Sequence, residues 1–104
     1  MAKKDKESKV SLQEIYPGFI KEMGKRMSEN KGKYQPFNWT LMNHEQIPEM
    51  LDACERHLLD LKSKLIYGES IEEEVNEQLA AMACNSMIIF YILYGQHDNF
   101  RFPG

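Results

Sequence analysis

Two pairs of carboxylates stand out among the residues able to do chemistry: Asp52-x-x-Glu55 and, after eighteen intervening residues, Glu74-x-x-Glu77. On two antiparallel helices such pairs can hold Mg2+ or Mn2+, because hard divalent cations take carboxylate oxygens and tolerate bound water. An ion held this way neutralises a triphosphate and helps to generate hydroxide. Other chemistries lack their residues. There is no glycine-rich phosphate loop, no G-x-S-x-G and no H-E-x-x-H. The three histidines (44, 57, 97) are scattered, and no Cys/His cluster has zinc spacing. Cys54 and Cys84 form no CxxC pair and read as reduced thiols that pack as small hydrophobes. With no signal-like N-terminus, a cytoplasmic protein is expected.

The elements that would position these residues are helices. Residues 1–10 are nearly all polar and read as a flexible charged tail. Ser11-Leu12-Gln13-Glu14 has the form of a capping box, and a helix starting within 12–18 and running to about Ser28 would place Phe19, Ile20, Met23 and Met27 inside. Glu29 to Asn43 reads as a fifteen-residue loop carrying Phe37 and Trp39, long enough in so small a chain to suggest function. In the second helix Ile47, Met50, Leu51, Cys54, Leu58, Leu61 and Leu65 recur at three- and four-residue intervals, with Asn43 as cap and Gly68 past the end. The third opens on Ser70-x-x-Glu73, a second capping box, carries Ile71, Val75, Leu79, Met82, Ile89 and Leu93, and stops at Gly95. The expected architecture is all-α: one helical domain over 11–95, a bundle of about three helices, and a short tail over 96–104. From Met87 to Tyr94 every residue is apolar. Eight residues cannot cross a bilayer, which needs about 20. A helix apolar on all sides must be buried, so homo-oligomerisation is expected to complete the bundle.

Helical geometry sorts the polar residues. At about 100° per residue, with the apolar stripe of the second helix as zero, Glu55 lies near ~80° and His57 near ~−80°, both flanking the core. Asp52, near ~140°, and Arg56, near ~180°, face water by the same count. On the third helix Gln78 and Asn85 flank one side of the stripe and Glu72 and Asn76 the other, while Glu73 and Glu77 point away.

Read together, the loop and both helices carry a more specific pattern: Lys33-Tyr34, Asn38-Trp39, Asp52-Ala53-Cys54-Glu55-Arg56-His57-Leu58-Leu59, Gly68-Glu69 through Glu72-Glu73-Glu74, and Leu79-Ala80-Ala81-Met82-Ala83-Cys84-Asn85. Over roughly residues 31–92 this resembles the phage and prophage dATP/dGTP diphosphohydrolases, which are MazG-like all-α nucleotide pyrophosphohydrolases. The resemblance implies an all-α fold, a divalent metal and a purine deoxynucleoside triphosphate hydrolysed to monophosphate and pyrophosphate. It places Glu55, Glu69, Glu72 and Glu73 on the metal, with Glu55, His57 and Glu72 as catalytic residues. Lys33, Tyr34, Asn38, Trp39, Arg56, Gln78 and Asn85 would contact the nucleotide. It departs from the family where two family histidines are expected, since Gln78 and Ala81 stand there.

Composition bounds the rivals. Net charge is −3, with nine Lys/Arg against five acids in residues 1–33 and ten acids against three bases in 45–77. That balance argues against a nucleic-acid partner, and no segment suits a membrane. Two other functions fit the same residues: a phage protein that binds a nucleotide without cleaving it, as sponge or sensor, and a helical interaction module. Trp39 could equally anchor its loop, and Glu72–Glu74 could be no more than an acidic helix start.

Overall fold

The computed structural model describes residues 10–29 and 37–97. They form three α-helices, α1 (Pro17–Glu29), α2 (Ile47–Leu65) and α3 (Val75–Leu93), with 3-10 turns at Leu12–Glu14, Asn38–Leu41, His44–Gln46 and Gly95–His97. No strand occurs among the described residues, so the fold is all-α as expected. No helix among them is long and apolar enough to cross a membrane. The expected tail over 1–10 lies outside the described residues except for Val10, as does the part of the final tail beyond His97.

α3 is the centre of the fold, and α1 and α2 each pack chiefly against it. Its sequence explains why. Ala80, Ala81 and Cys84 are buried, and their small side chains let both neighbours come close. Further along, Ile88 and Ile92 form the core with Met50 of α2, and Trp39, Met42, Ile47, Met87 and Ile89 pack around them. Two polar contacts tie α1 to α3. Asn76 Nδ2 donates to Glu22 Oε2 at 3.1 Å, and the Cys84 thiol donates to the Met23 carbonyl at 3.6 Å. The Asn76 bond, with Lys25 nearby, holds the Glu22 carboxyl below its usual range. Burial pushes the Cys84 thiol up, against the pull of Arg26.

Helix ends follow local chemistry, with some departures from expectation. Asn43 does cap, but it caps the 3-10 turn that feeds α2: its side chain accepts from Glu45 N at 3.0 Å, and Gln46 Oε1 accepts from Asn43 N at 2.7 Å. Gly68 follows α2 at φ +70°, a left-handed conformation that side chains resist. Ser11 forms no side-chain cap, and Leu12–Glu14 makes a lone 3-10 turn, with α1 beginning at Pro17, the first-turn position proline tolerates.

The larger corrections concern α3. It begins at Val75, with Glu74 as an uncapped start, so the Ser70-x-x-Glu73 box does not form. Its buried face is Gln78, Ala81, Cys84, Ile88 and Ile92, whereas Leu79 and Leu93 are 42% and 40% exposed. The expected stripe follows the largest side chains; the first half of α3 instead buries the small Ala80, Ala81 and Cys84, because a central helix with two neighbours needs close approach there more than bulk. On α2 the apolar stripe is wider than the α3 contact covers. Leu61 is buried, but Leu51, Leu58 and Leu65 are 50%, 48% and 64% exposed.

Ile92 is wholly buried in the core. Ile92→Ala should cost about 2–5 kcal/mol of stability, read by denaturant unfolding. A loss under about 1 kcal/mol would show that this core is not tightly packed.

Candidate functional site

Residues 53, 56, 57 and 60 share one face of α2, because positions three and four apart are helical neighbours. That face borders a cleft of about 580 Å³ lined by Arg26, Ala53, Arg56, His57, Leu59, Asp60, Glu73 and Asn85. Three elements supply its polar groups: the end of α1, the middle of α2, and α3 with the segment before it.

A hydrogen-bonded chain runs beneath the cleft. His57 Nδ1 meets Gln78 Oε1, and Gln78 Nε2 donates to Asp60 Oδ2 at 3.0 Å. Gln78 has no solvent exposure, and both ends of its amide are taken. A buried amide with an unmet end would cost about 1–3 kcal/mol, so the two partners are what permit it there. Beside this chain, Arg26 Nη1 donates to Glu73 Oε1 at 2.5 Å, and the other Glu73 oxygen lies 3.9 Å from His57 Nδ1. Glu73 is therefore shared between the guanidinium and the imidazole. This explains the late start of α3: the carboxylate that would have closed the capping box is turned onto Arg26 instead.

The sequence-derived residues divide as follows. His57, Arg56, Glu73 and Asn85 line the cleft, and Gln78 lies under His57. Glu55, Glu69 and Glu72 are exposed and do not line it. Asn38 and Trp39 belong to the 3-10 turn beside the core, where the Trp39 ring meets Tyr91 edge to face with centroids 5.2 Å apart. Lys33 and Tyr34 lie outside the described residues. Two geometric expectations are corrected. Glu73 does not point away, because residues 71–74 are not helical and the angle count does not extend to them. Gln78 does not flank the stripe but sits at its buried centre.

The carboxylates at hand do not fit a divalent metal. No group of three His, Cys, Asp or Glu side chains among the described residues is arranged to hold one. Arg26 occupies one Glu73 oxygen, and Gln78 one Asp60 oxygen. What the cleft offers instead is hydrogen bonding. Arg56 has no ion-pair partner among the described residues, and Asn85 brings an amide to the same cleft.

Arg26 and Asp60 escaped sequence reasoning. Asp60 stands three residues from His57 on one face, a signal that was available. Arg26 had none, because its partner lies 47 residues away.

Fold and site together define a small all-α protein with a polar cleft bordered by two guanidiniums, two carboxylates and an imidazole. The family model described as dATP/dGTP diphosphohydrolase, N-terminal, matches residues 1–99, and the chain belongs to this family. No curated protein and no solved structure matches it.

The Arg26–Glu73 pair is about one-third exposed at each side chain, so solvent screening limits its worth. A double-mutant cycle with Arg26→Ala and Glu73→Ala should give a coupling of about 1 kcal/mol in unfolding free energy. Additivity would show that the pair does not hold α1 to the site.

Proposed function

We propose that this chain binds purine deoxynucleoside triphosphates in the cleft bordered by Arg56, His57 and Asn85, and hydrolyses them to monophosphate and pyrophosphate. Family membership over residues 1–99 supports the substrate class and the reaction. The observation that carries the location is the convergence of Arg56, His57 and Asn85 on one cleft. Arg56 supplies charge and donors to phosphate oxygens, a role guanidinium geometry suits. Arg26 stands at the same cleft, held by Glu73, and an incoming phosphate competes with that carboxylate for its donors. His57 offers its remaining ring nitrogen to a ligand hydroxyl or to water. Mg2+ or Mn2+ remains the cation this family resemblance calls for. Its donors from Glu55, Glu69, Glu72 and Glu73 would have to be gathered by a rearrangement or by a second copy.

A second reading, binding without cleavage, has an observation in its favour. Gln78 and Ala81 offer no group that exchanges a proton at neutral pH, and Gln78 is committed at both ends to His57 and Asp60.

The test is a thermal-shift screen of dNTPs and NTPs with and without Mg2+, followed by chromatography of each stabilising nucleotide. Hydrolysis predicts a purine dNTP recovered as monophosphate, and Arg56→Ala should weaken binding about tenfold or more. Recovery of the nucleotide intact would leave the binding reading, and no shift with any nucleotide would overturn both.

We further propose that a second copy of the chain covers the outer stripe of α2. Leu51, Leu58 and Leu65 are seven residues apart and 48–64% exposed, and Phe90 of α3 and Tyr94 just past its end are 64% and 59% exposed. Seven-residue spacing of leucines is the pattern by which helices pair along a seam. Light scattering should therefore give a multimeric mass for the wild type and a monomeric one for Leu58→Glu. A monomeric wild type would overturn the assignment.

A further inference from the structure

We propose that Gln78 is a positioning residue that fixes His57 as the Nδ1–H tautomer, so that Nε2 carries the lone pair presented to the cleft. The inference follows from which atoms are able to donate. An ionised carboxylate only accepts hydrogen bonds. The Gln78 group that faces Asp60 must therefore be the amide N–H, and it reaches Oδ2 at 3.0 Å. The amide oxygen is then left facing His57, where it meets Nδ1. A carbonyl oxygen cannot donate, so the proton in that contact belongs to the imidazole. Direction thus passes from Asp60, through a rigid amide, to the ring.

A nearby carboxylate biases the ring the same way, more weakly. Glu73 Oε2 lies 3.9 Å from the same nitrogen, too far to accept a hydrogen bond, so Gln78 Oε1 is the acceptor that decides the tautomer. The amide has no freedom to turn over, because it is wholly buried and reversal would set oxygen against oxygen at Asp60 while turning its N–H toward the ring. The His57 side chain is 14% exposed, enough to reach the cleft it lines but not to reorient freely. Among the described residues Nε2 has no hydrogen-bond partner.

The chemical consequence concerns proton direction. A histidine side chain free in water favours the other tautomer, with hydrogen on Nε2. Here the neutral ring accepts from a ligand hydroxyl or a water at Nε2, and a proton taken up there makes the imidazolium that Glu73 then faces. Gln78 itself touches no ligand in this arrangement; it acts through His57. The inference deepens the cleft reading above, but its test uses no nucleotide. A failure of nucleotide binding and a failure of the tautomer assignment are therefore separate results.

The experiment is long-range 1H–15N correlation of the imidazoles in the 15N-histidine-labelled full chain, with His57 assigned by the loss of other signals in His44→Gln and His97→Gln. Spectra are taken near pH ~9, where an ordinary imidazole is neutral. The expected wild-type pattern is the Nδ1–H tautomer. Gln78→Met, similar in length and without a hydrogen-bonding amide, should return His57 to an Nε2–H majority, whereas Glu73→Gln should leave the Nδ1–H pattern in place. An Nε2–H pattern in the wild type overturns the proposal without any variant. Retention of Nδ1–H in folded Gln78→Met overturns the role of Gln78.

Discussion

A glutamine with no solvent exposure is the constraint around which this fold is arranged. An amide cannot be buried against apolar side chains alone without losing hydrogen bonds that water would have supplied. Gln78 is buried because α2 delivers an acceptor and a donor at the right spacing, Asp60 and His57, three residues apart. That requirement fixes the rotation of α2 and its register along α3. Once register is set, Met50 meets Ile88 and Ile92 at the far end, and the apolar core closes. The polar and apolar ends of the α2–α3 contact thus specify the same alignment. Such agreement between levels narrows a sequence to one packing.

The segment between α2 and α3 shows a conflict between local and tertiary preference, settled in favour of the latter. Ser70 and Glu73 have the residues for a reciprocal cap, worth about 1 kcal/mol where it forms. Glu73 bonds Arg26 instead and lies near His57. The carboxylate gains a bond in which both partners are charged, from a distant helix, in place of one to an uncharged backbone N–H nearby. As a result α1, which packs chiefly on α3, is linked to the border of the cleft through the Arg26–Glu73 ion pair as well.

Much of this architecture was legible in the sequence. The helices, their order and the capping function of Asn43 follow from periodicity and short-range chemistry, which act within a few residues. The family was legible too, because its fragments are contiguous. The rotation of α3 was not. Periodicity marks the bulky apolar residues, and it cannot tell a face made for close approach, Ala80, Ala81 and Cys84, from a solvent face of small residues. The site was legible in part. His57, Arg56, Asn85 and Glu73 line the cleft, but the links around them, Arg26 to Glu73 and Asp60 to Gln78, span 47 and 18 residues, and the three-residue spacing of His57 and Asp60 was the one local sign of either. Glu55, Glu69 and Glu72 form an acidic pattern that is conspicuous in the sequence, and the fold does not gather it.

The residue at 78 decides what kind of proton chemistry the cleft can support. A histidine there, which the family resemblance leads one to expect, can donate or accept at either nitrogen and can exchange its proton. A chain of carboxylate, imidazole and imidazole could then run in either direction, and a proton could move along it. Glutamine keeps the two hydrogen bonds and removes that exchange, because an amide neither gains nor loses a proton near neutrality. The geometry of His57 survives while its access to a second titrating group through position 78 is lost. A proton that His57 accepts at Nε2 can return by the same nitrogen, and on the other side of the ring the titrating group within ion-pair range is Glu73, 3.9 Å from Nδ1. Glutamine at 78 thus holds the imidazole in one orientation without itself passing a proton on, and under the cleft reading proposed above any cleavage would rest on groups other than Gln78.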